Sequence, residues 1–234
     1  MILYGKPVAD ALREQYAERI EKMAWRRTLT VKIDGTEDQT YLSAIIKEAR
    51  KWKVKLAYAN CTEYAVTAEY TIDLCKDPVD VGLPSVDGQS SFGRHETYCG
   101  KLCSDTPCTA EAIIRILDYY DIPVAGKHAV VIGRSERVGK PTAMLLLALD
   151  ATVTVCHSQT DKAKLMGQVG NADIVVCASG QKGLLDWTCV PDGCTVINVG
   201  GDYDEWCDNR INLIPFKGGV GPVTTAVLMS HVLM

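Results

Sequence analysis

Residues 130–158, VVIGRSERVGKPTAMLLLALDATVTVCHS, carry the residue types that a phosphate-bearing ligand requires. Gly133 opens a turn after an apolar run, Arg134 lies within that turn, and Gly139 and Pro141 fall in the first turn of the helix that follows. Proline costs no hydrogen bond there, and a helix N-terminus attracts pyrophosphate through its N–H groups and its dipole. Neither common phosphate-loop spelling is met. A triphosphate loop needs G-x4-G-K followed by Ser or Thr, whereas five residues separate Gly133 from Gly139 and Pro141 follows Lys140. The dinucleotide fingerprint G-x-G-x-x-G fails because Ser135 stands at its second glycine. The next apolar run ends in His157 and Ser158, where an NAD site usually places a carboxylate. Donors at that point, together with Arg134, favour a 2′-phosphate and so NADP over NAD. The competing account makes Arg134 and His157 solvated loop residues.

The elements that must position these groups follow from periodicity. HAVVIG, ATVTVCHS, ADIVVCASG and CTVINVGG are short continuous apolar runs spaced by helical or loop segments. Continuity rather than alternation means strands buried on both faces, hence a parallel, doubly wound sheet. Upstream, residues 6–23 place Val8, Leu12, Ile20 and Met23 at helical spacing with Tyr16 between, which predicts one amphipathic helix. TLTVKID alternates as a strand, and GTEDQ is a turn. TYLSAIIKEARKWKV predicts a second helix with Ile45 and Ala49 on the face of Tyr41, and VKLAYANC a further short strand. Residues 62–80 read as helix then strand. The Pro-, Gly- and Ser-rich stretch 84–107 predicts a connector, followed by a helix capped by Thr109 with an apolar stripe of Ile113, Ile116, Leu117 and Tyr120.

With 234 residues and 47% hydrophobic content the chain can bury the core of one or two domains. Its formal net charge of −4 comes from interspersed acidic and basic residues, which argues against a nucleic-acid partner. No stretch reaches the roughly 18 apolar residues of a membrane span, and the start lacks the layout of a secretory signal. The expectation is a soluble, cytoplasmic protein without a membrane partner. Ten cysteines are many, but without an export signal they are expected as reduced thiols. Cys99, Cys103 and Cys108 match no common zinc spacing, so no metal is expected and buried apolar roles are.

The spelling G-R-S-x-x-V-G-x-P from Gly133, with ATVTVCHS after it, resembles the bifunctional methylenetetrahydrofolate dehydrogenase/cyclohydrolase family. Further matches follow in order along essentially the whole chain: GKPVADALR near the start, VDG at 86–88, PCT at 107–109, ADIVVCASG, and GGVGPVTTAVL. The resemblance implies an α/β fold of two lobes with a cleft between them. An N-terminal α/β lobe (1–108) would bind folate, and a Rossmann-like doubly wound parallel-sheet lobe (109–216) would bind NADP. A loop and C-terminal helix (217–234) would return to the first lobe. The resemblance adds Val138, Ser179, Gly180, Gly200 and Gly201 to the cofactor-binding set. It assigns Tyr41 and Asp87 to substrate binding and catalysis, and it lines the folate cleft with Gly218, Gly219, Gly221 and Thr224. Glycines there would let backbone approach pterin and nicotinamide; the alternative is a tight turn. A homodimer through the second lobe is also implied.

The departures from the family pattern bear on the chemistry. The family carries Tyr-x-x-x-Lys on its second helix, the lysine being central to the cyclohydrolase. Here Tyr41 is kept but Ile45 stands at the lysine position. Lys47, about 240° further round the helix than Tyr41, does not simply substitute. The family's glutamine partner of that lysine falls on Gly82 of VGLP. Lys217 replaces the first Pro of PGGVGP, either as a stand-in catalytic group or as a surface lysine. Hydride transfer asks chiefly for placement of substrate against cofactor, whereas hydrolysis needs a placed acid and base. The expectation is NADP-dependent oxidation of 5,10-methylenetetrahydrofolate to 5,10-methenyltetrahydrofolate, with cyclohydrolase activity weak or lost. The alternatives are a bifunctional enzyme with a substituted catalytic group, a dehydrogenase for another substrate, and a non-catalytic nucleotide- or folate-binding paralogue.

Overall fold

The computed structural model describes residues 1–33, 35, 38–60, 70–74, 87, 91–185, 187–203 and 209–234. The apolar runs of the second half become β4 (His128–Ile132), β5 (Thr152–Cys156), β6 (Ile174–Cys177) and β7 (Thr195–Asn198), joined by the short β8 (Asn212–Ile214). They form one parallel sheet in the order β5-β4-β6-β7-β8. Successive residues of a strand point to opposite faces, and both faces are apolar for that reason. Ala129, Val131, Ile174, Val176 and Ile197 join one core cluster, while Val130, Ile132, Val175, Cys177 and Val196 join the other. Helices α5 (Cys108–Tyr119), α6 (Gly139–Ala148) and α8 (Val220–Val232) cover the first face, and α7 (Lys162–Val169) the second.

The N-terminal half builds a parallel sheet with β1 (Thr28–Ile33) between β2 (Lys55–Asn60) and β3 (Tyr70–Asp73). Helix α3 (Gln39–Lys51) follows β1 and starts at Asp38, whose carboxylate accepts the N–H of Thr40 at 2.8 Å. Such a cap satisfies N–H groups that the first helical turn leaves without partners. The lower end of α3 is tied by Trp52, whose indole N–H donates to Glu48 at 3.0 Å. Helix α8 is buried along almost its whole length and packs on α1 (Gly5–Gln15), α3 and α5. One apolar cluster therefore runs from β1 through α8 to the first face of the second sheet. The chain start crosses over too: Leu3 N–H donates to Leu213 O, and Leu213 N–H to Met1 O, both at 2.8 Å.

Several local expectations change. The single helix over 6–23 is two, α1 and α2 (Ala17–Met23), parted at Tyr16, whose ring packs 5.7 Å from that of Trp52. The stretch 84–107 is not all connector, because α4 (Ser91–Tyr98) lies within it. Its Gly93 serves close packing rather than a turn, since a β-carbon there would meet Asp105 at 2.4 Å. Pro107, not Thr109, is the residue before α5. Of the Cys99, Cys103 and Cys108 group only Cys108 is buried; Cys99 is exposed and Cys103 is intermediate. Among the described residues no helix is long and apolar enough to cross a membrane.

Candidate active site

In a parallel sheet the crevice at the carboxyl ends of the strands opens where the chain reverses its direction of winding. Here β5 lies on one side of β4 and β6 on the other, which puts that point between β4 and β6. Gly133, Arg134 and Ser135 follow β4; His157 and Ser158 follow β5; Ser179 and Gly180 follow β6; Gly200 and Gly201 follow β7. All these sequence-predicted cofactor residues thus leave the sheet at one edge. Gly133 has φ +126°, and a β-carbon on it would sit 2.4 Å from Ala178 O, so the turn hugs the β6 loop. Gly139 closes the turn against Gly133, where a β-carbon would lie 2.3 Å from Gly133 O. Both glycines are dictated by this close approach.

The turn is partly self-satisfied. Ser135 Oγ accepts the N–H groups of Val138 and Gly139 at 3.2 and 3.3 Å, so this hydroxyl caps α6. Arg134 is exposed and has no protein partner among the described residues. The register, in which Ile132 pairs with Cys156, makes Arg134 and His157 leave the ends of neighbouring strands. His157 Nδ1 accepts from Gln159 N–H at 3.2 Å. Pro141 is buried at a hollow of about 320 Å³ that it shares with Arg94 and Thr97 of α4. A cradle closed to any side chain, an available guanidinium and the lack of a carboxylate after β5 together fit a phosphorylated dinucleotide.

On the other side of the cleft Tyr41 stands between two cavities. One, of about 340 Å³, is lined by Tyr41 and Thr109 together with Asn198, Val199, Phe216 and Thr224, so both halves of the molecule contribute. The other, of about 490 Å³, is lined by Tyr41, Lys6, Lys47, Lys51, Pro222 and Thr225. Gly221 borders both, with nothing within 4 Å of where its β-carbon would be. Gly218 and Gly219 have a different reason. Gly218 has φ +79°, and a β-carbon on Gly219 would lie 2.1 Å from Pro215 O, so these two make the tight turn ahead of α8.

Asp87 is buried, and its Oδ1 accepts the N–H of Cys108 at 2.8 Å, capping α5 from outside the helix. Burial raises the Asp87 carboxyl above the usual carboxylate range, against the pull of the Cys108 N–H and of Arg137. Burial, and then the Asp87 charge, push the Tyr41 hydroxyl well above the phenolic range, so it stays a neutral donor. Arg137 opposes both shifts and therefore lies within electrostatic reach of both residues. Sequence reasoning passed over Arg137, which occupies an unassigned position of the glycine turn. It also passed over Glu111 and His231, joined at 2.9 Å behind Asp87. No local signal marks that pair, because 120 positions separate its members.

Ile45 is fully buried in the apolar core. Lys47, which does not simply take the place of the family lysine, is exposed and lines the larger cavity with Tyr41. Lys217 is exposed on the turn before α8. Gly82 lies outside the described residues.

Residues 107–234 match the family model described as the NAD(P)-binding domain of tetrahydrofolate dehydrogenase/cyclohydrolase. The bifunctional protein FolD of Methanoculleus marisnigri is 43% identical over 271 aligned positions, covering 99% of this chain and 94% of that protein. FolD of Nocardia farcinica is 33% identical over 273 positions, covering 99% and 95%. Both alignments are longer than the 234 residues here, so this chain lacks residues that those relatives carry within the matched region. The methylenetetrahydrofolate dehydrogenase-cyclohydrolase of Trypanosoma brucei, solved with NADP and an inhibitor, superposes with a TM-score of 0.87 at 25% identity, covering 100% of this chain and 96% of that one. A 5,10-methylenetetrahydrofolate dehydrogenase from the silkworm Bombyx mori gives 0.85 at 28% identity, again covering 100% and 96%.

Proposed function

The chain belongs to the tetrahydrofolate dehydrogenase/cyclohydrolase family, and from that membership we propose that it oxidises 5,10-methylenetetrahydrofolate to 5,10-methenyltetrahydrofolate with NADP, its cyclohydrolase activity being weak or lost. The observation that carries the reading is the 340 Å³ cavity lined both by Tyr41 of α3 and by Asn198 and Val199 at the carboxyl end of β7. A pterin held there faces the strand ends that bind the dinucleotide. Bound NADP supplies the hydride acceptor. The chain's residues supply placement: the turn from Gly133 to Gly139 and Arg134 fix the phosphates, Ser179, Gly180, Gly200 and Gly201 border the nicotinamide, and Tyr41 and Asp87 orient the pterin. Holding donor carbon and acceptor in contact, away from water, is where such a site gains its rate.

Hydrolysis of the methenyl product asks for more. A water must lose a proton and a ring nitrogen must gain one. Ile45 offers neither, and it is enclosed in the core. A second reading, a bifunctional enzyme with a substituted base, is favoured by one observation: Lys47 shares the larger cavity with Tyr41 and Gly221. Lys217 is the other substitute.

The assay that decides is turnover of methylenetetrahydrofolate with NADP and, separately, with NAD, alongside direct hydrolysis of methenyltetrahydrofolate by the same preparation. Reduction of NADP without matching hydrolysis is expected. Hydrolysis as fast as reduction would replace the first reading by the second. NADP binding without any turnover would leave a binding paralogue.

We further propose a homodimer that covers Leu147, Leu149 and Val155, exposed apolar side chains on and beside the sheet-edge strand β5. A cytoplasmic location accords with the free thiols of Cys99, Cys103, Cys156, Cys177 and Cys194.

A further inference from the structure

Behind Asp87 lies a row of buried polar groups that placement of substrate and cofactor leaves unused. Cys108, Glu111 and His231 are each fully buried. His231 Nε2 lies 2.9 Å from Glu111 Oε2 across the contact of α5 with α8, and Cys108 Sγ lies 3.7 Å from His231 Nδ1. Arg115, partly exposed, donates twice to Glu111 Oε1, at 3.1 and 2.9 Å. Cys108 gives Asp87 its backbone N–H, and its thiol is within hydrogen-bonding reach of the same carboxylate. Cysteine, histidine and acid in a row also describe a thiolate nucleophile. Burial pushes this thiol well up, however, and Asp87, Glu111 and Asp105 push it the same way. The thiol keeps its proton and acts as a donor.

That thiol has one proton and two acceptors. Against the effect of burial, His231 and Arg115 hold Glu111 below the usual carboxylate range, so it is ionised and His231 carries its proton on Nε2. With Nδ1 bare, that nitrogen competes with the Asp87 carboxylate for the single S–H proton. With Nδ1 protonated, the ring donates to sulfur and the S–H turns to Asp87, giving the carboxylate a second hydrogen bond from Cys108. We propose that Glu111, His231 and Cys108 are positioning residues for Asp87: a proton on His231 turns the Cys108 thiol onto the Asp87 carboxylate and steadies it as the charged acceptor for the N–H groups of a pterin. The proposal rests on the reading that Asp87 meets the pterin. The groups facing Asp87 are Tyr41 from α3, Cys108 from α5, Arg137 from the turn ahead of α6 and His231 from α8. Those facing Glu111 are His231 and Arg115, and Asp105 faces Cys108.

The test is steady-state kinetics with methylenetetrahydrofolate and NADP across the pH range in which histidine titrates. It compares the wild type with His231→Gln, Cys108→Ala, Cys108→Ser and Asp87→Asn, with NADP affinity measured alongside. His231→Gln and Cys108→Ala are expected to raise the KM for the folate about three- to tenfold, the size of one hydrogen bond. kcat changes less, and the acid limb of kcat/KM moves to higher pH because Asp87 loses a donor that favours its charge. Cys108→Ser keeps a donor and brings both readouts back towards the wild type, while NADP affinity stays unchanged. Should His231→Gln fail to fold, the Ala and Ser variants at Cys108 decide alone. A raised KM in Asp87→Asn, with Cys108→Ala matching the wild type in KM and pH profile, overturns the network alone. An unchanged KM in Asp87→Asn overturns the placement of the pterin on Asp87, and the proposal falls with it.

Discussion

A β-carbon on Gly5 would lie 1.8 Å from the carbonyl oxygen of Gly219, so the first turn of α1 and the glycine turn ahead of α8 touch backbone to backbone. Gly5 N–H donates to Gly218 O at 2.9 Å across the same contact. The start of the chain therefore fixes the height of the turn whose Gly221 borders both cavities.

Gly5→Ala is accordingly expected to cost about 1–3 kcal/mol, the range for forcing atoms into a packed contact. The displaced turn should also raise the KM for the folate while leaving NADP affinity alone. Urea unfolding and steady-state kinetics check both, and an unshifted unfolding midpoint would show that the two backbones can part freely.

Arg134 is an exposed cation of the glycine turn and follows β4 as His157 follows the neighbouring strand β5. Arg134→Ala should lower kcat/KM with NADP about tenfold or more, a charge-assisted hydrogen bond to phosphate being worth about 1.5–3 kcal/mol. Turnover with NAD should change little. Equal losses with the two cofactors would remove Arg134 from the 2′-phosphate.

Lys47→Met separates the two readings of the hydrolysis half-reaction. On the first reading, residual methenyltetrahydrofolate hydrolysis should be the same in variant and wild type. A fall of tenfold or more, expected of a removed acid or base, would make Lys47 the substitute. Lys217→Met, compared in the same assay, should also leave hydrolysis where it was.

Glu111 and Asp87 should act with opposite sign on stability against pH. Glu111 is lowered from 4.5 in the folded state, so the stability it lends is present above that unfolded value and lost as pH falls through the lower folded one. Asp87 is raised from 3.8 by burial, so the folded state holds its proton more tightly, and stability rises as pH falls through the raised value. Glu111→Gln should therefore flatten the acid loss of stability, and Asp87→Asn should steepen it. Urea midpoints measured from neutral pH down through the carboxylate range test the pair, and slopes unchanged in both variants would refute it.

The strands of the second sheet were legible because each is apolar on both faces, a property written in consecutive residues such as Val130 and Val131. The glycine turn was legible for a similar reason, since Gly133 and Gly139 meet within one strand–turn–helix unit. Composition misled where glycine served packing: Gly93 made residues 91–98 resemble a connector, although they are helical. Angular counting at Lys47 gave its place on the helix but not the cavity it borders. A cavity runs along a ridge of the helix, so a residue well round from Tyr41 can still line it.

What the sequence determined by itself was the set of short-range elements and, through the ordered motifs, the family. Propensity, periodicity and turn chemistry act over a few residues and are written in consecutive letters. Tertiary structure alone decided that Asp87 caps α5 at Cys108, that Glu111 meets His231, and that residues 1–3 join β8. These partners are brought together by packing the two sheets around α8, and a residue's type states what bond it needs without stating which distant residue will supply it.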